Sequence, residues 1–326
     1  MTYSPGLVSV IIPYYKKKRR IIECIKSILN QRHNLIEIIV IDDGSEDDLI
    51  YFLKEINVNL KLIKQFNCGP SSARNAGISA SQGEYLKFLD ADDFLLDQLK
   101  EEVEFSKLLK NNEFSVGCSL KLSEASGVIS PHSRRDALSS YVPNGVELAL
   151  DAPLISAPLW PRYVIQNLGG FREDITYRED YEFFMRAILS GYKPVFIPLP
   201  VFVYCDYQCD QRVSRQLPKA TSKQQLKIFK GLIFCLQGNS ELSLDIVLNE
   251  ALSAAAWQAA RILVREGSIQ EAALLFRLSR ELSHGDKIVG QWQYQLACRI
   301  LGPIAAEQFL TKARKLVNKM LSLLPN

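Results

Sequence analysis

The stretch NCGPSSARNAGISASQGEYLKFLDADD, residues 67–93, joins a turn to a helix-like segment, an apolar run and an acidic end. Its run EYLKFLD (84–90) is short and rich in aliphatic and aromatic residues, which predicts a buried strand. Similar runs stand earlier in the chain, separated by helix-like stretches such as 19–31, at 7–13, 36–42 and 60–65. The alternation predicts an α/β fold with a mostly parallel sheet and helices on both of its faces. Such sheets bind ligands at the carboxyl ends of their strands.

The next hundred residues are predicted to continue the same domain with a less regular pattern. We expect helices and strands in turn at 97–110 (helix), 114–120 (strand), 178–191 (helix) and 193–204 (strand). Prolines within the last of these strands suit a sheet edge or a bend, because proline cannot donate to a strand ladder.

Three carboxylates end the run 84–90, those of Asp90, Asp92 and Asp93. The two-residue period of a strand places Asp90 and Asp92 on the same side. Like charges so close either raise a pKa or share a cation, and hard oxygen donors suit Mg²⁺ or Mn²⁺ completed by water and a diphosphate. The alternative is that Asp92 or Asp93 caps the following helix. Both interpretations hold together if Asp93 is the cap.

A second acidic pair, Asp42 and Asp43, follows the second strand. A receiver-type phosphoacceptor pocket would need acidic residues after the first strand as well, and Pro13 stands there instead. Two interpretations are left: an Asx turn with Gly44 and Ser45, or a carboxylate that accepts hydrogen bonds from a base or ribose.

The loop 67–77 is predicted to enter the same edge of the sheet with a turn at Gly69 and Pro70 and then a short helix. Free amides at the start of that helix, together with Arg74, could hold an anionic phosphate. The loop contains neither GxxxxGK[ST] nor GxGxxG, so it is not a P-loop or a dinucleotide fingerprint.

Composition is that of an ordinary soluble protein. The 326 residues have a formal net charge of +3, so we expect no nucleic-acid partner. The seven cysteines form no CxxC pair and indicate a reducing compartment, the cytoplasm. We recognise no secretory signal and no apolar window long enough for a spanning helix. The basic run KKKRR (16–20) is either a solvated face or a patch for anionic phospholipid or a lipid-diphosphate acceptor.

Helix-forming residues dominate after Pro218, which predicts domains over 1–217 and 218–326. Within the second domain, one set of residues recurs 35 positions later: Trp257, Gly267 and Ile269 as Trp292, Gly302 and Ile304. The recurrence is either coincidence or the mark of two tetratricopeptide-like hairpins that dock a partner or pair two subunits as a homodimer. The basic amphipathic segment 310–324 fits a bundle core or the inner surface of a membrane, where the protein would bind peripherally.

The sequence resembles the family 2 glycosyltransferases, which adopt the GT-A fold. The resemblance lies in VSVIIPYY, IEIIVIDDGSEDD, NCGPSSARNAGISASQGEYLKFLDADD and GGFREDITYREDYEFFMRA. It is close over 8–95, patchy over 168–204 and absent after about 215. No QxxRW-like segment follows, which argues against a processive polysaccharide synthase.

The resemblance implies a nucleotide-binding set and a metal ligand. In this set Pro13 and Tyr15 flank the base. Asp43 hydrogen-bonds the base with Asp42 nearby, and Arg74 positions the diphosphate or the acidic motif. Asp90 contacts ribose or a metal-bound water, and Asp92 binds Mn²⁺ or Mg²⁺.

The resemblance also implies a catalytic base. The pair Glu179 and Asp180 stands where the family has its ED motif, and Asp180 matches the base that deprotonates the acceptor hydroxyl. The alternative is that both acids merely complement the dipole of a helix N-terminus. Arg212 could meet phosphate, in a segment that lacks the histidine some relatives place near the metal.

Together these features predict a metal-dependent, inverting glycosyltransferase of the hexosyltransferase type. Its donor would be a nucleotide-diphosphosugar, with uridine diphosphate as the expected carrier, and its acceptor a glycan, lipid-linked or protein hydroxyl. One rival is a sugar-nucleotide pyrophosphorylase, which would want a glycine-rich loop after the first strand, where IIPYYKKK has none. The other is a non-catalytic nucleotide-binding scaffold with a partner-binding helical module.

Overall fold

A computed structural model describes residues 3–17, 20–47, 49–55, 58–123, 125–133, 145–207, 218–240, 242, 245–283 and 288–321. The chain divides into two compact units: Met1–Pro143 with Ala152–Asp210, and Asn144–Asp151 with Gln211–Asn326. The short segment Asn144–Asp151 belongs to the second unit, although its position in the sequence lies within the range 1–217 that we predict for the first domain.

Four parallel strands form one half of the sheet in the first unit. They and the helices between them are β1 (Ser4–Tyr14), α1 (Arg20–Leu29), β2 (Ile36–Asp43), α2 (Leu49–Glu55), β3 (Lys61–Gln65), α3 (Pro70–Ala80) and β4 (Gly83–Phe88). The strands lie in the order β3-β2-β1-β4. Tyr14 pairs with Asp42, and Asp43 pairs with Gln65, so the carboxyl ends of β1, β2 and β3 meet at one edge. The strand and helix alternation predicted from the sequence is confirmed here.

The other half of the sheet is mixed. Its elements are β5 (Phe94–Leu95), α4 (Leu99–Ser106), β6 (Glu113–Ser123), β7 (Ile129–Pro131), β8 (Pro158–Pro161), α6 (Arg162–Leu168), α7 (Glu179–Leu189) and β9 (Lys193–Asp206), while α5 (Gly145–Leu150) lies in the second unit. The order continues β4-β8-β6-β9-β5, with β7 beside β6. Among the described strands of this half, only β6 and β9 pair in parallel. The sheet is therefore α/β as predicted but less parallel, because the regular helical crossovers that parallel pairing needs end after β4.

The prolines of β9 lie where they are tolerated. Pro194 and Pro200 are in the part of β9 that pairs with β6, where the register shifts around Cys118. The pairing with β5 begins only at Phe202. The prolines thus precede the doubly paired part of the strand, which agrees with the edge or bend expected from the sequence.

A buried ion pair ties β4 to α4. The Nζ of Lys87 lies 2.6 Å from Oε1 of Glu102, and the two side chains are 0% and 1% exposed. Lys87 also donates to the carbonyl of Ala157 at 3.3 Å. Burial lowers the pKa of Lys87 and raises that of Glu102, and the attraction between the two charges opposes both shifts. Each group therefore depends on the other to stay charged inside the core.

Helical hairpins form the second unit. Its helices after α5 are α8 (Pro218–Gly238), α9 (Ile246–Glu266), α10 (Ile269–Leu282), α11 (Trp292–Leu301) and α12 (Pro303–Leu321). The turns between α9 and α10 and between α11 and α12 contain Gly267 and Gly302, with φ of 86° and 78°, a region that favours glycine. Buried Glu307 on α12 binds Arg261 at 2.7 Å and Arg265 at 2.6 Å, both on α9.

The recurring tryptophans of the hairpins differ in environment. Trp257 is fully buried and packs edge-on against Phe276, with ring centroids 4.7 Å apart, whereas Trp292 is 69% exposed. The relation to tetratricopeptide hairpins therefore stays a prediction that rests on the turn glycines. None of the helices in the described ranges combines the length and the apolar character needed to cross a bilayer.

Replacing Lys87 by methionine should destabilise the first unit by about 3–5 kcal/mol, because Glu102 would keep a buried charge without a partner. The measurement is urea denaturation followed by circular dichroism. The double variant Lys87→Met with Glu102→Leu should recover most of this loss. A single variant as stable as the parent would contradict the pairing.

Candidate active site

Arg74 binds two other sequence-predicted residues, Asp90 and Glu179, at the carboxyl edge of the sheet. It projects from α3, and its side chain is 4% exposed. Nη2 donates to Oδ1 of Asp90 at 2.9 Å, and Nη1 donates to Oε1 of Glu179 at 2.8 Å. The guanidinium carbon lies 5.4 Å from the centre of the Phe171 ring. Two roles are expected for Arg74, to position the diphosphate or to position the acidic motif. The contact with Asp90 agrees with the second role.

The same helix holds the loop that leads to Glu179. Ser71 donates its hydroxyl to the carbonyl of Ile175 at 3.1 Å. Asn75 donates to the carbonyl of Phe171 at 2.9 Å and accepts from the amide of Phe171 at 2.8 Å. Ser71, Arg74 and Asn75 lie three and four positions apart and therefore share one face of the helix. We call these three residues the α3 clamp.

The helix α3 packs closely against β1 at Gly77. A Cβ atom added to Gly77 would lie 2.3 Å from Cγ2 of Ile11 on β1, so only glycine fits without displacement. The small residue at the end of SARNAG thus lets the clamp residues reach the loop at the edge of the sheet.

Asp180 occupies the first turn of α7 and is half-buried. Its Oδ1 accepts from the backbone amide of Tyr181 at 2.7 Å. Burial, together with the charge of Glu179, raises the pKa of Asp180 to about 6, although Arg74 acts in the opposite direction. Arg178, just before the helix, has a left-handed φ of 56°, a strained conformation that clusters at functional sites.

The helix-dipole alternative for the ED pair accounts for only part of what Glu179 does. Glu179, Asp180 and Glu182 all lie in the first turn of α7, where negative charge is favoured. Glu179 additionally binds Arg74, a residue 105 positions earlier in the chain. Glu179 therefore links this helix, through Arg74, to Asp90 after β4.

Asp90 lies at the centre of the acidic group. Its pKa is raised by burial and by the charges of Asp92 and Glu179, while Arg74 lowers it. The positive charge of Arg74 therefore offsets the repulsion among these carboxylates.

Asp92 has a resident cation. Its Oδ2 lies 2.9 Å from Nζ of Lys17 and also accepts a hydrogen bond from the hydroxyl of Tyr207. The Lys17 ammonium contacts the same hydroxyl, and the guanidinium of Arg20 lies 4.0 Å from the centre of the Tyr207 ring. The side chains of Lys17 and Asp92 are 24% and 12% exposed.

Sequence reasoning did not single out Lys17 or Tyr207 as site residues. The sequence predicts that the run 16–20 is a solvated face or a patch for anionic phospholipid or a lipid-diphosphate acceptor, whereas Lys17 forms an ion pair with Asp92. A signal was present, because a cation directly after β1 lies at the same sheet edge as an acid directly after β4. Tyr207, shortly after β9 ends, carried no comparable signal.

Asp93 does not cap the next helix, so that prediction is wrong. Its Oδ1 accepts from the backbone amide of Cys205 at 2.9 Å. The helix α4 begins only at Leu99, after Gln98, which makes no side-chain cap bond. The short strand β5 separates Asp93 from the helix. The Asp93 carboxylate instead binds β9 to residues 90–93, which we call the acidic turn.

The acidic pair at the end of β2 accepts hydrogen bonds from the segments next to it. Asp42 accepts from the amide of Ser45 at 2.9 Å, which is the hydrogen bond of an Asx turn, one of the two alternatives predicted from the sequence. Asp43 accepts from the side chain of Gln65 at 2.8 Å and from the amides of Cys68 and Gly69, both at 2.9 Å. A base bound to Asp43 would have to share a carboxylate that already accepts three hydrogen bonds.

The remaining predicted residues stand at the end of β1 or outside the described structure. Pro13 is half-buried and pairs with Ile41. Tyr15 is 42% exposed, with Nζ of Lys16 5.1 Å from the centre of its ring. Arg212 lies outside the described residues. Within the described ranges, the acids, histidines and cysteines form no group of three or more that could hold a metal ion.

The family match and the similar sequences cover the front of the chain. Residues 9–153 match the model described as Glycosyl transferase family 2. An uncharacterized glycosyltransferase of Haemophilus influenzae is 40% identical over 111 residues, which are 32% of this chain and 44% of that protein. One of Rickettsia prowazekii is 29% identical over 195 residues, or 56% of this chain and 59% of that protein. The chain thus spans less than two thirds of the length of these relatives.

Two solved structures are similar over most of the chain. S. aureus TarS 1–349 in complex with UDP-GlcNAc has a TM-score of 0.61 at 17% identity, covering 94% of this chain and 92% of that chain. The mannosyltransferase PcManGT from Pyrobaculum calidifontis, in complex with GDP-Man and Mn²⁺, has a TM-score of 0.53 at 20% identity, covering 94% and 87%. At these identities the likeness shows the fold alone, and it confirms the GT-A fold.

Replacing Asn75 by alanine should loosen the loop at Phe171, because the variant loses both a donor and an acceptor to the same residue. We expect the amide of Phe171 to exchange hydrogen about 10-fold faster or more, corresponding to a bond worth ~1–2 kcal/mol. Hydrogen exchange by mass spectrometry measures this change. Asn167→Ala, which removes an exposed bond to Tyr192, is the control. Equal exchange at Phe171 in both variants would contradict the clamp.

Proposed function

Residues 9–153 of this chain belong to glycosyl transferase family 2, and from this premise we propose that the protein transfers a sugar from a nucleotide-diphosphosugar to an acceptor hydroxyl with inversion. The observation that carries the proposal is the double contact of Arg74 with Asp90 and Glu179. This contact links the acidic turn after β4 to the start of α7, where Asp180 stands. A donor-binding turn and a base are the two parts that a single displacement needs.

The proposed donor is a uridine diphosphate sugar. Support comes from the TarS structure solved with UDP-GlcNAc, while the GDP-Man bound to PcManGT makes guanosine diphosphate the competing carrier. Tyr15, exposed after β1, offers an aromatic surface for a base. The proposed acceptor is a hydroxyl of a glycan, a lipid-linked molecule or a protein.

We propose that a divalent ion binds at the acidic turn. Asp92 supplies hard carboxylate oxygen, and Mg²⁺ or Mn²⁺ is commonly held by one or two carboxylates with substrate phosphates and water. When bound, the ion would supply positive charge to the departing diphosphate. Asp90 would stand beside it, already neutralised by Arg74.

Asp180 is the proposed general base. With a pKa of about 6 it is largely ionised at neutral pH and yet basic enough to accept a proton from the acceptor hydroxyl. Partial burial and the neighbouring Glu179 produce this poise. Arg74 holds Glu179 in place through its other amino group and thereby fixes the start of α7.

The cytoplasmic location, peripheral membrane contact and homodimer formation through the helical unit stay predictions from the sequence. The proposed chemistry does not depend on any of the three.

Asp180→Asn should lower the rate of sugar transfer by about 10²–10⁴-fold while leaving affinity for the nucleotide unchanged, because only the proton acceptor is lost. Initial rates with a sugar donor, together with calorimetric titration of the nucleotide, measure the two effects. Asp97→Asn, the same carboxylate-to-amide change at an exposed ion pair with Arg32, serves as the control. Full transfer activity in Asp180→Asn would exclude this base.

The pH dependence of kcat/KM should have an acid limb near pH 6. Below that pH Asp180 is protonated and cannot accept the hydroxyl proton, so activity falls about 10-fold per unit, and above it activity reaches a plateau. Rates measured from pH 4.5 to pH 8 give the profile. Persistence of the same limb in the residual activity of Asp180→Asn would assign it to another group.

Calorimetric titration with UDP, GDP and CDP, each with and without Mn²⁺, tests the donor site. We expect one nucleotide to bind more tightly with the metal, and Asp92→Asn to lose most of that gain. Absence of metal-enhanced binding for all three nucleotides would refute the metal-dependent form of the proposal.

A further inference from the structure

Asp90 and Asp92 of the acidic turn each have a positive partner of their own. Arg74 binds Asp90 at 2.9 Å, and Lys17 binds Asp92 at 2.9 Å. The two cations come from different elements, one from α3 and one from the segment after β1. The charges of Asp90 and Asp92 are therefore compensated pair by pair.

Lys17 is held at Asp92 by more than the charge of the carboxylate. Its ammonium contacts the Tyr207 hydroxyl and lies 4.8 Å from the centre of the Tyr207 ring, so that an aromatic side chain lines its position. Arg20 lies on the same ring at 4.0 Å. Upstream, Lys16 adopts a left-handed φ of 54° and donates its amide to Ser45 at 3.0 Å, which fixes the backbone before Lys17.

Neighbouring Lys16 provides the contrast. Its side chain is exposed, and Nζ lies 5.1 Å from the centre of the exposed Tyr15 ring. Only Lys17 of these two adjacent lysines makes an ion pair with the acidic turn. The basic run therefore contains one lysine with a specific partner beside one that faces solvent.

We propose that Lys17 is the resident counter-ion of Asp92, and that a divalent ion binds at Asp92 only by displacing it. The inference rests on the proposed nucleotide-sugar site. The ammonium and the incoming ion compete for the same oxygen, since Nζ already lies within hydrogen-bond distance of Oδ2. Without metal, Lys17 keeps the Asp92 charge from repelling a nucleoside diphosphate.

Two opposite effects follow from removing the Lys17 charge. Metal affinity rises, because the competing cation is gone and Asp92 is exposed to the ion. Metal-free affinity for a nucleoside diphosphate falls, because the Asp92 charge is no longer neutralised. A lysine that served only to support the fold would change both affinities in the same direction.

The first experiment titrates the full chain with Mn²⁺ alone and counts free ions by electron paramagnetic resonance. Lys17→Met should bind Mn²⁺ at least about 10-fold more tightly than the parent, a difference of ~1.4 kcal/mol. Lys17→Arg, which keeps the charge, and Lys16→Met, which leaves Asp92 paired, should resemble the parent. The double variant Lys17→Met with Asp92→Asn should lose the gain. Equal or weaker Mn²⁺ binding by Lys17→Met would overturn the proposal.

The second experiment titrates the same variants with UDP in excess chelator. Lys17→Met should bind UDP about 10-fold more weakly than the parent, and the double variant with Asp92→Asn should recover most of the loss. Unchanged or tighter UDP binding by Lys17→Met would contradict the counter-ion role.

Tyr207→Phe supplies an independent variant if Lys17→Met does not fold, which circular dichroism and thermal denaturation would reveal. It removes the hydroxyl shared by Lys17 and Asp92, and it should raise Mn²⁺ affinity by a smaller factor. No rise in Tyr207→Phe would then overturn the proposal. If the parent binds no nucleotide at all, the proposed function fails, while the Mn²⁺ comparison still decides the role of Lys17.

Discussion

The buried guanidinium of Arg74 holds together two carboxylates that would otherwise repel each other at the edge of the sheet. Asp90 and Glu179 each accept a hydrogen bond from this one group. The pKa of Asp180 is raised by burial and by the charge of Glu179, while Arg74 lowers it. Because the guanidinium is 4% exposed, water cannot screen it effectively. Arg74 therefore couples the position of the acidic turn to that of α7 through two charge-assisted hydrogen bonds.

A parallel sheet makes this arrangement possible. The carboxyl ends of β1, β2 and β4 bring side chains from separate parts of the sequence to one edge, and Gly77 lets α3 pack closely enough on β1 to reach them. The acidic turn is further fixed to β9 through Asp93 and Cys205. The turn thus receives support from both halves of the sheet, although only one half supplies the charged partners Lys17 and Arg74.

The sequence predicted the features that depend on local pattern. The strands and helices up to β4, the acidic turn and the ED pair follow from periodicity and from quoted motifs, which are short in sequence. Partner choice was harder to predict, because it depends on how distant segments meet. The cap assigned to Asp93 is wrong because a two-residue strand intervenes. The contacts of Lys17 with Asp92 and of Tyr207 with both join the segments that follow β1, β4 and β9, and these segments are far apart in the sequence.

The α3 clamp has a consequence for how such a protein can diverge. Ser71 and Asn75 bind the backbone of Ile175 and Phe171 and, on the other side of the loop, Arg186 binds the carbonyls of Leu168 and Gly170. These contacts fix the course of the main chain through its backbone groups, although Phe171 and Ile175 are buried and Asn75 also donates to the side chain of Glu173. Several positions of the loop can therefore mutate freely while α7 and its acids keep their place, so that evolution could alter what the loop recognises without rebuilding the chemistry beside it.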